Sequence, residues 1–164
     1  RLPRTDEAPR KAASHLNDAR TLIGILAIAE DTARDDFDSG MKALELGDRK
    51  RAMFAFERPL QMDVPWRPAH KHMFSEFGSV LRKKRIYALA LRHHNKALEL
   101  APNDENIWFN LARVHYSLGN LDKALEYLRR VLNANPNMRE GQLFMDYLQQ
   151  KKKNDPSAGP PLRM

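Results

Sequence analysis

The chain has 164 residues, 42% of them hydrophobic and 30% charged, with a formal net charge of +7. That composition is globular rather than disordered, and the length suits one domain or one short array of repeats. Having no cysteine, the chain makes no disulfide, thiolate metal site or cysteine nucleophile, and its longest apolar run, residues 22–29, is far short of the ~20 residues that span a bilayer.

Residues 1–8 have no periodicity and read as a flexible lead-in. A helical pattern follows over 9–30. Leu16, Ala19, Ile23, Leu26 and Ala27 share one side, and Leu22, Ile25 and Ala29 widen it. This segment is expected to be a separate helix that packs over the next unit, or else a dimerisation helix. The chain opens on Arg1 rather than Met, as a piece of a longer protein would, and the compartment is left open with a slight preference for the cytoplasm.

Three helical hairpins are expected next, over 31–68, 69–102 and 103–137. Pro68, Pro102 and Pro136 stand 34 residues apart. In the third hairpin, Ile107, Trp108, Leu111 and Val114 recur at helical spacing, as do Leu121, Ala124, Leu125, Leu128, Val131 and Leu132. Gly119 suits a left-handed helix end and Asn120 a helix cap between them. In the first hairpin Pro59 is expected to kink or end the second helix near Arg58, and residues 65–68 should be extended. The second hairpin carries seven basic and two acidic residues, a net +5, and its turn reads Arg82-Lys83-Lys84-Arg85. A last amphipathic helix over 138–150 should cap the array, with Asn137 and Glu140 at capping-box spacing. Residues 151–164 should form a disordered basic tail.

The third hairpin resembles the tetratricopeptide repeat (TPR), a 34-residue helical hairpin. Trp108, Leu111, Ala112, Gly119, Ala124 and Pro136 carry the resemblance. In the second hairpin it rests on Phe74, Phe77, Gly78, Leu81, Ala90, Ala97, Leu98 and Pro102, and in the first on Gly40, Leu46, Gly47, Asp48, Ala52, Phe56 and Leu60. There are departures. Asp36 takes the tryptophan place, Arg85 the inter-helix glycine place, His94 and Leu128 the second-helix aromatic place, and His115 the first-helix tyrosine place. The resemblance implies an all-α, right-handed superhelix of antiparallel hairpins with N- and C-terminal capping helices. Trp108 is expected to be largely buried against the preceding repeat, and Ala124 to sit at the close contact within its hairpin.

The same resemblance implies a groove lined by fixed positions of each first helix. These are Phe37, Met41 and Leu44 in the first repeat, His72, Ser75, Ser79 and Arg82 in the second, and Asn106, Phe109, Arg113 and Tyr116 in the third. Lys83 joins Arg82 and Arg113 on its rim. TPR proteins that hold chaperone C-terminal peptides use a Lys and Asn carboxylate clamp. Those places here hold Phe37, Met41, Glu76, Asn106 and Asn110, of which only Asn110 agrees, so that ligand is not expected.

No catalytic constellation emerges, and no cofactor or metal is expected. None of the six histidines has the i, i+4 spacing of a helical metal pair, and the acidic pairs Asp35/Asp36 and Asp104/Glu105 suit helix starts. The leading reading is a non-enzymatic scaffold that binds a protein or peptide, with an acidic segment favoured, inside a larger assembly. Two others remain open. Nucleic acid or another polyanion could bind Arg82–Arg85 and Lys151–Lys153, and the N-terminal helix could drive homodimerisation.

Overall fold

The computed structural model describes residues 7–155, with side chains from Arg10 onward, and every regular element among them is helical. The chain divides into two compact units, Arg1–Trp66 and Arg67–Met164. The first holds α1 (Glu7–Glu45) and α2 (Arg49–Gln61). The second begins with a short 3-10 turn at Pro68–His70, followed by α3 (Lys71–Lys83), α4 (Tyr87–Leu100), α5 (Glu105–Ser117), α6 (Leu121–Ala134) and α7 (Arg139–Lys153). Helices α1–α2, α3–α4 and α5–α6 form the three expected hairpins. In the second unit α5 packs on α3 and α4, and α7 packs on α6. No helix among the described residues is long and apolar enough to cross a membrane.

Each hairpin closes on one contact between a small residue of its first helix and a large residue of its second. A Cβ added at Gly40 would come within 2.5 Å of the Phe56 ring, and one added at Gly78 within 2.7 Å of the His94 ring. Ala112 and Leu128 hold the same register in the third hairpin and are fully buried. Ala52, Ala90 and Ala124 recur beside these contacts, each with no exposed surface. Small residues let two helix backbones approach until the facing side chain fills the gap, so these positions fix the hairpin angle.

The turns share one backbone pattern. Gly47, Arg85 and Gly119 have φ of 79°, 61° and 80°. Each donates its N–H three residues back, to Leu44, Arg82 and Tyr116. The next residue donates five back, from Asp48 to Ala43, Ile86 to Leu81 and Asn120 to His115. These bonds satisfy the last carbonyls of the first helix and require the left-handed conformation. Glycine adopts it freely, whereas Arg85 does so against its own Cβ. Asp48 and Asn120 then cap α2 and α6 by accepting from the N–H of Arg51 and Lys123. Ile86 offers α4 no side-chain cap and is buried instead.

Several expectations need correction. The boundary at residues 30–31 does not exist, because α1 runs unbroken for 39 residues and joins the proposed N-terminal helix to the first repeat. No glycine or proline lies between Gly24 and Gly40, and Asp31, Asp35 and Asp36 continue the helix rather than start one. Pro59 does not end α2, which continues to Gln61 with the ring buried. A proline this near a C-terminus leaves one carbonyl unbonded, and the apolar ring is repaid by burial. Trp108 keeps only part of its surface exposed, as expected, and its indole Nε1 is enclosed with no hydrogen-bond partner. Asp36, at the matching place in α1, instead pairs with Arg58 of α2 at 3.4 Å. Asn137 makes no capping box, since α7 starts after Met138 without a side-chain cap. Lys151, Lys152 and Lys153 belong to the last turn of α7, not to a tail, where cations complement the helix dipole. The lead-in before residue 7 and the tail beyond 155 lie outside the described residues.

His93 and His94 are both fully buried on α4. His93 stacks edge-on against Phe77, with ring centres 5.6 Å apart. Neither ring nitrogen of His94 has a hydrogen-bond partner. Burial, reinforced by His93, Arg82 and Arg113, lowers the His94 pKa to about 4. Folding therefore excludes a proton that the unfolded chain binds below pH 6.5, and stability must fall as pH drops from about 6.5 towards 4.

Three outcomes follow from this packing. Arg85→Gly should stabilise the protein by about 0.5–1 kcal/mol, the relief of left-handed strain less the entropy glycine adds to the unfolded chain, measured by urea denaturation. Ala124→Leu should destabilise by about 1–3 kcal/mol through overpacking. His94→Phe, which copies the Gly40–Phe56 contact, should flatten the acid side of a stability–pH profile that in the parent loses on the order of 2–4 kcal/mol between pH 6.5 and 4. An unchanged profile would mean that His94 is not the group excluding the proton.

Candidate functional site: a cationic, aromatic cleft on the second unit

Helices α3, α5 and α7 present equivalent faces at the 34-residue spacing, and a cleft of about 400 Å³ opens among them. Arg82, Phe109, Arg113, Tyr116, Ser117, Glu140 and Phe144 line it. Arg82 is the last half-buried residue of α3 before the exposed Lys83 and Lys84. Arg113 lies one turn along α5 from Phe109, so its guanidinium sits 5.8 Å from that ring centre. Arg82 and Arg113 have no carboxylate partner among the described residues. Burial weakens the hold of Arg82 on its proton, and the charge of Arg113 weakens it further. Two cations kept together beside a single carboxylate, Glu140, leave a local positive potential that a further anion would relieve.

The aromatic wall comes from α5 and α7. Phe144 stands edge-on to Phe109 and Tyr116, with ring centres 6.2 and 5.7 Å away. The Tyr116 and Tyr147 hydroxyls lie 2.9 Å apart, and Lys151 Nζ donates to Tyr116 at 3.0 Å. That bond lowers the Tyr116 pKa, and Tyr147 adds to the effect. The Lys151 pKa is raised in return. Away from the cleft lining, Asn110 Nδ2 donates to Ser75 Oγ at 3.2 Å and ties α5 to α3.

Of the expected groove residues, Arg82, Phe109, Arg113 and Tyr116 come together in this cleft. Ser75, Ser79 and Asn110 are half-buried elsewhere on α3 and α5, while His72, Lys83 and Asn106 are exposed. Phe37, Met41 and Leu44 belong to the first unit. Phe37 is no groove residue, because it is buried against Phe56 with ring centres 5.0 Å apart. Met41 and Leu44 are half-buried. The contributions of Ser117, Glu140 and Phe144 were not anticipated, nor was the Tyr147–Lys151 pair. The signal was present: Arg139 stands 34 residues after Glu105, so α7 is in register as a further first helix. Its buried Met145 and Leu148 repeat Leu111 and Val114. Reading α7 only as a cap hid its outward face. Among the described residues no three His, Asp or Glu side chains gather as metal ligands would.

Stacked antiparallel hairpins with a small-to-large contact in each define a helical repeat protein. Residues 84–145 match the family model described as tetratricopeptide repeat. Over 67 residues it is 31% identical to the human cell division cycle protein 16 homolog, which covers 41% of this chain and 10% of that protein. Over 64 residues it is 41% identical to the photosystem I assembly protein Ycf3 of Cyanophora paradoxa, covering 37% of each. The chain thus spans well under half the length of the curated relatives it matches. Among solved structures, YrrB, described as a TPR protein with an unusual peptide-binding site, aligns with a TM-score of 0.55 at 23% identity over 90% of this chain and 77% of that one. The first TPR of Spaghetti (RPAP3), bound to the HSP90 peptide SRMEEVD, aligns with a TM-score of 0.52 at 20% identity, covering 74% and 94%. At these identities the structures establish a shared fold.

Proposed function

We propose that the chain is a non-enzymatic scaffold that binds an acidic segment of another protein along α3, α5 and α7. The observation that carries this reading is the pairing of Arg82 with Arg113, half-buried and without carboxylate partners, against the Phe109–Tyr116–Phe144 wall. One carboxylate, Glu140, shares the cleft with two guanidiniums, so the balance favours an anion. An apolar wall beside fixed cations suits a segment that mixes carboxylates with apolar or aromatic residues. The solved relatives described as binding peptides support the general mode. The chaperone-tail ligand of one of them fits poorly here, because Glu76 stands on α3 where a clamp would need a cation. The polyanion reading gains nothing, since Lys151 is held by Tyr116 and Lys152 reaches Asp122 at 2.9 Å.

A fluorescence-anisotropy panel of matched acidic, neutral and basic peptides tests the proposal. The acidic peptides should bind best, and affinity should fall as salt shortens the Debye length from about 8 Å at physiological strength to about 3 Å near 1 M. Arg82→Glu with Arg113→Glu, its folding checked by circular dichroism, should abolish the acidic preference at low salt, chiefly by slowing association. Equal binding of acidic and basic peptides by the parent, or an unaffected double variant, would sink it.

A further inference from the structure

The first half of α1 has no counterpart to pack on within its unit. Every residue from Arg10 to Thr21 is exposed, including Leu16, and so are the large apolar Ile23, Ile25 and Ile28 that follow. Their relative exposures are 61%, 68%, 50% and 69%. Exposed single apolar residues are ordinary on protein surfaces, but a run of them on one protruding helix marks a surface that another body covers. Leu16, Ile23 and Ala27, at i, i+7 and i+11, share a stripe on the side away from the residues buried toward α2, such as Ala29 and Ala33. Gly24 beside it has nothing within 4 Å of where a Cβ would stand, so a second helix backbone could approach closely there.

The charges say what kind of body it is. Arg10, Lys11 and Arg20 are exposed in the first half of α1, and Asp31, Asp35 and Asp38 are exposed in the second. None of the six is ion-paired among the described residues. The neighbouring Glu30 and Asp36, by contrast, have Arg34 and Arg58 as partners within this unit. The helix therefore runs from a mostly basic first half, in which Asp18 is the one acid among residues with described side chains, to a mostly acidic second half, in which Lys42 is the one exposed cation, with the exposed apolar stripe between. A foreign partner would have to carry the reverse order. A second copy of α1, laid antiparallel, carries it by symmetry. Centred between Ile23 and Gly24, such a pair brings Arg10 of one copy within one residue of the level of Asp38 of the other. It also brings Arg20 within a turn of Asp31.

We propose that the protein forms a two-fold symmetric dimer through antiparallel pairing of α1 around Ile23, closed by the basic first half of each helix against the acidic second half of its partner. Such a contact is isologous and closes after two copies, which leaves the cleft on each second unit to act independently of this argument.

Sedimentation equilibrium of the full chain over a concentration series tests this. The parent should be a dimer that weakens with salt. Leu16→Asp with Ile23→Asp should raise the dissociation constant at least about a hundredfold, the effect of placing charges in the buried seam. Because that variant could also unwind the helix end, a charge exchange provides the second arm. Arg10→Glu with Lys11→Glu in one chain, and Asp31→Lys with Asp35→Lys in another, should each dimerise poorly alone. Mixed in equal amounts they should recover a heterodimer, since both ends of the pair regain opposite charges. A parent that stays monomeric throughout the series, a dimer indifferent to Leu16→Asp with Ile23→Asp, or a mixture no tighter than either chain alone would overturn the proposal.

Discussion

Every hairpin in this protein depends on one distance, the separation of its two helix backbones at the point where a residue without bulk faces one with bulk. Gly40 admits Phe56, Gly78 admits His94, and the buried Ala112 and Leu128 hold the same places in the third hairpin. A methyl group at Gly40 or Gly78 would occupy space the facing ring already fills. The ring must then move or the helices must part, and either disturbs a core packed as densely as a crystal. This constraint tolerates chemistry that differs from copy to copy. A phenyl, an imidazole and an isobutyl group each fill the gap. The imidazole does so at the cost of two buried nitrogens without partners.

That tolerance has a limit, and the second hairpin sits nearest to it. It combines a buried, unsatisfied histidine with an arginine in the left-handed conformation and a helix start without a capping side chain. The first and third hairpins have glycine and a capping Asp or Asn at those points. The same hairpin supplies Arg82, and its turn carries the densest charge in the chain. Local rules give way at functional sites and are compensated elsewhere, which fits a hairpin that helps form the candidate cleft. The compensation is visible in Ile86, whose apolar side chain is buried where a cap would have stood in solvent.

The cleft depends on α7 more than on any turn. Without Phe144 against Phe109 and Tyr116, the two arginines would face open solvent, where a high dielectric would mute their charge. Placing a further first helix beside α5 gives the cations an apolar neighbour and partial burial. The long α1 presents the opposite situation. Its buried residues begin at Leu26, and every residue from Arg10 to Thr21 is exposed.

The sequence by itself determined the hairpins. Helical spacing of apolar residues, glycines at 47 and 119, alanines at 52, 90 and 124, and prolines 34 residues apart are local signals, and each reflects a steric rule that acts within one or two turns. Four of the cleft residues were legible for the same reason, since the period that places Arg82 also places Tyr116. What the sequence left open was decided between elements. Phe37 could equally line a groove or enter a hairpin, and only its contact with Phe56 settled which. Residues 9–45 read as two helices because acidic residues suit a helix start, yet a helix also continues through them when nothing breaks its hydrogen bonds. Pro59 reads as a stop, but burial of its ring outweighed one missing bond. Periodicity tells which side of a helix is apolar. Which neighbour meets that side, and how closely, is a property of packing that no single segment contains.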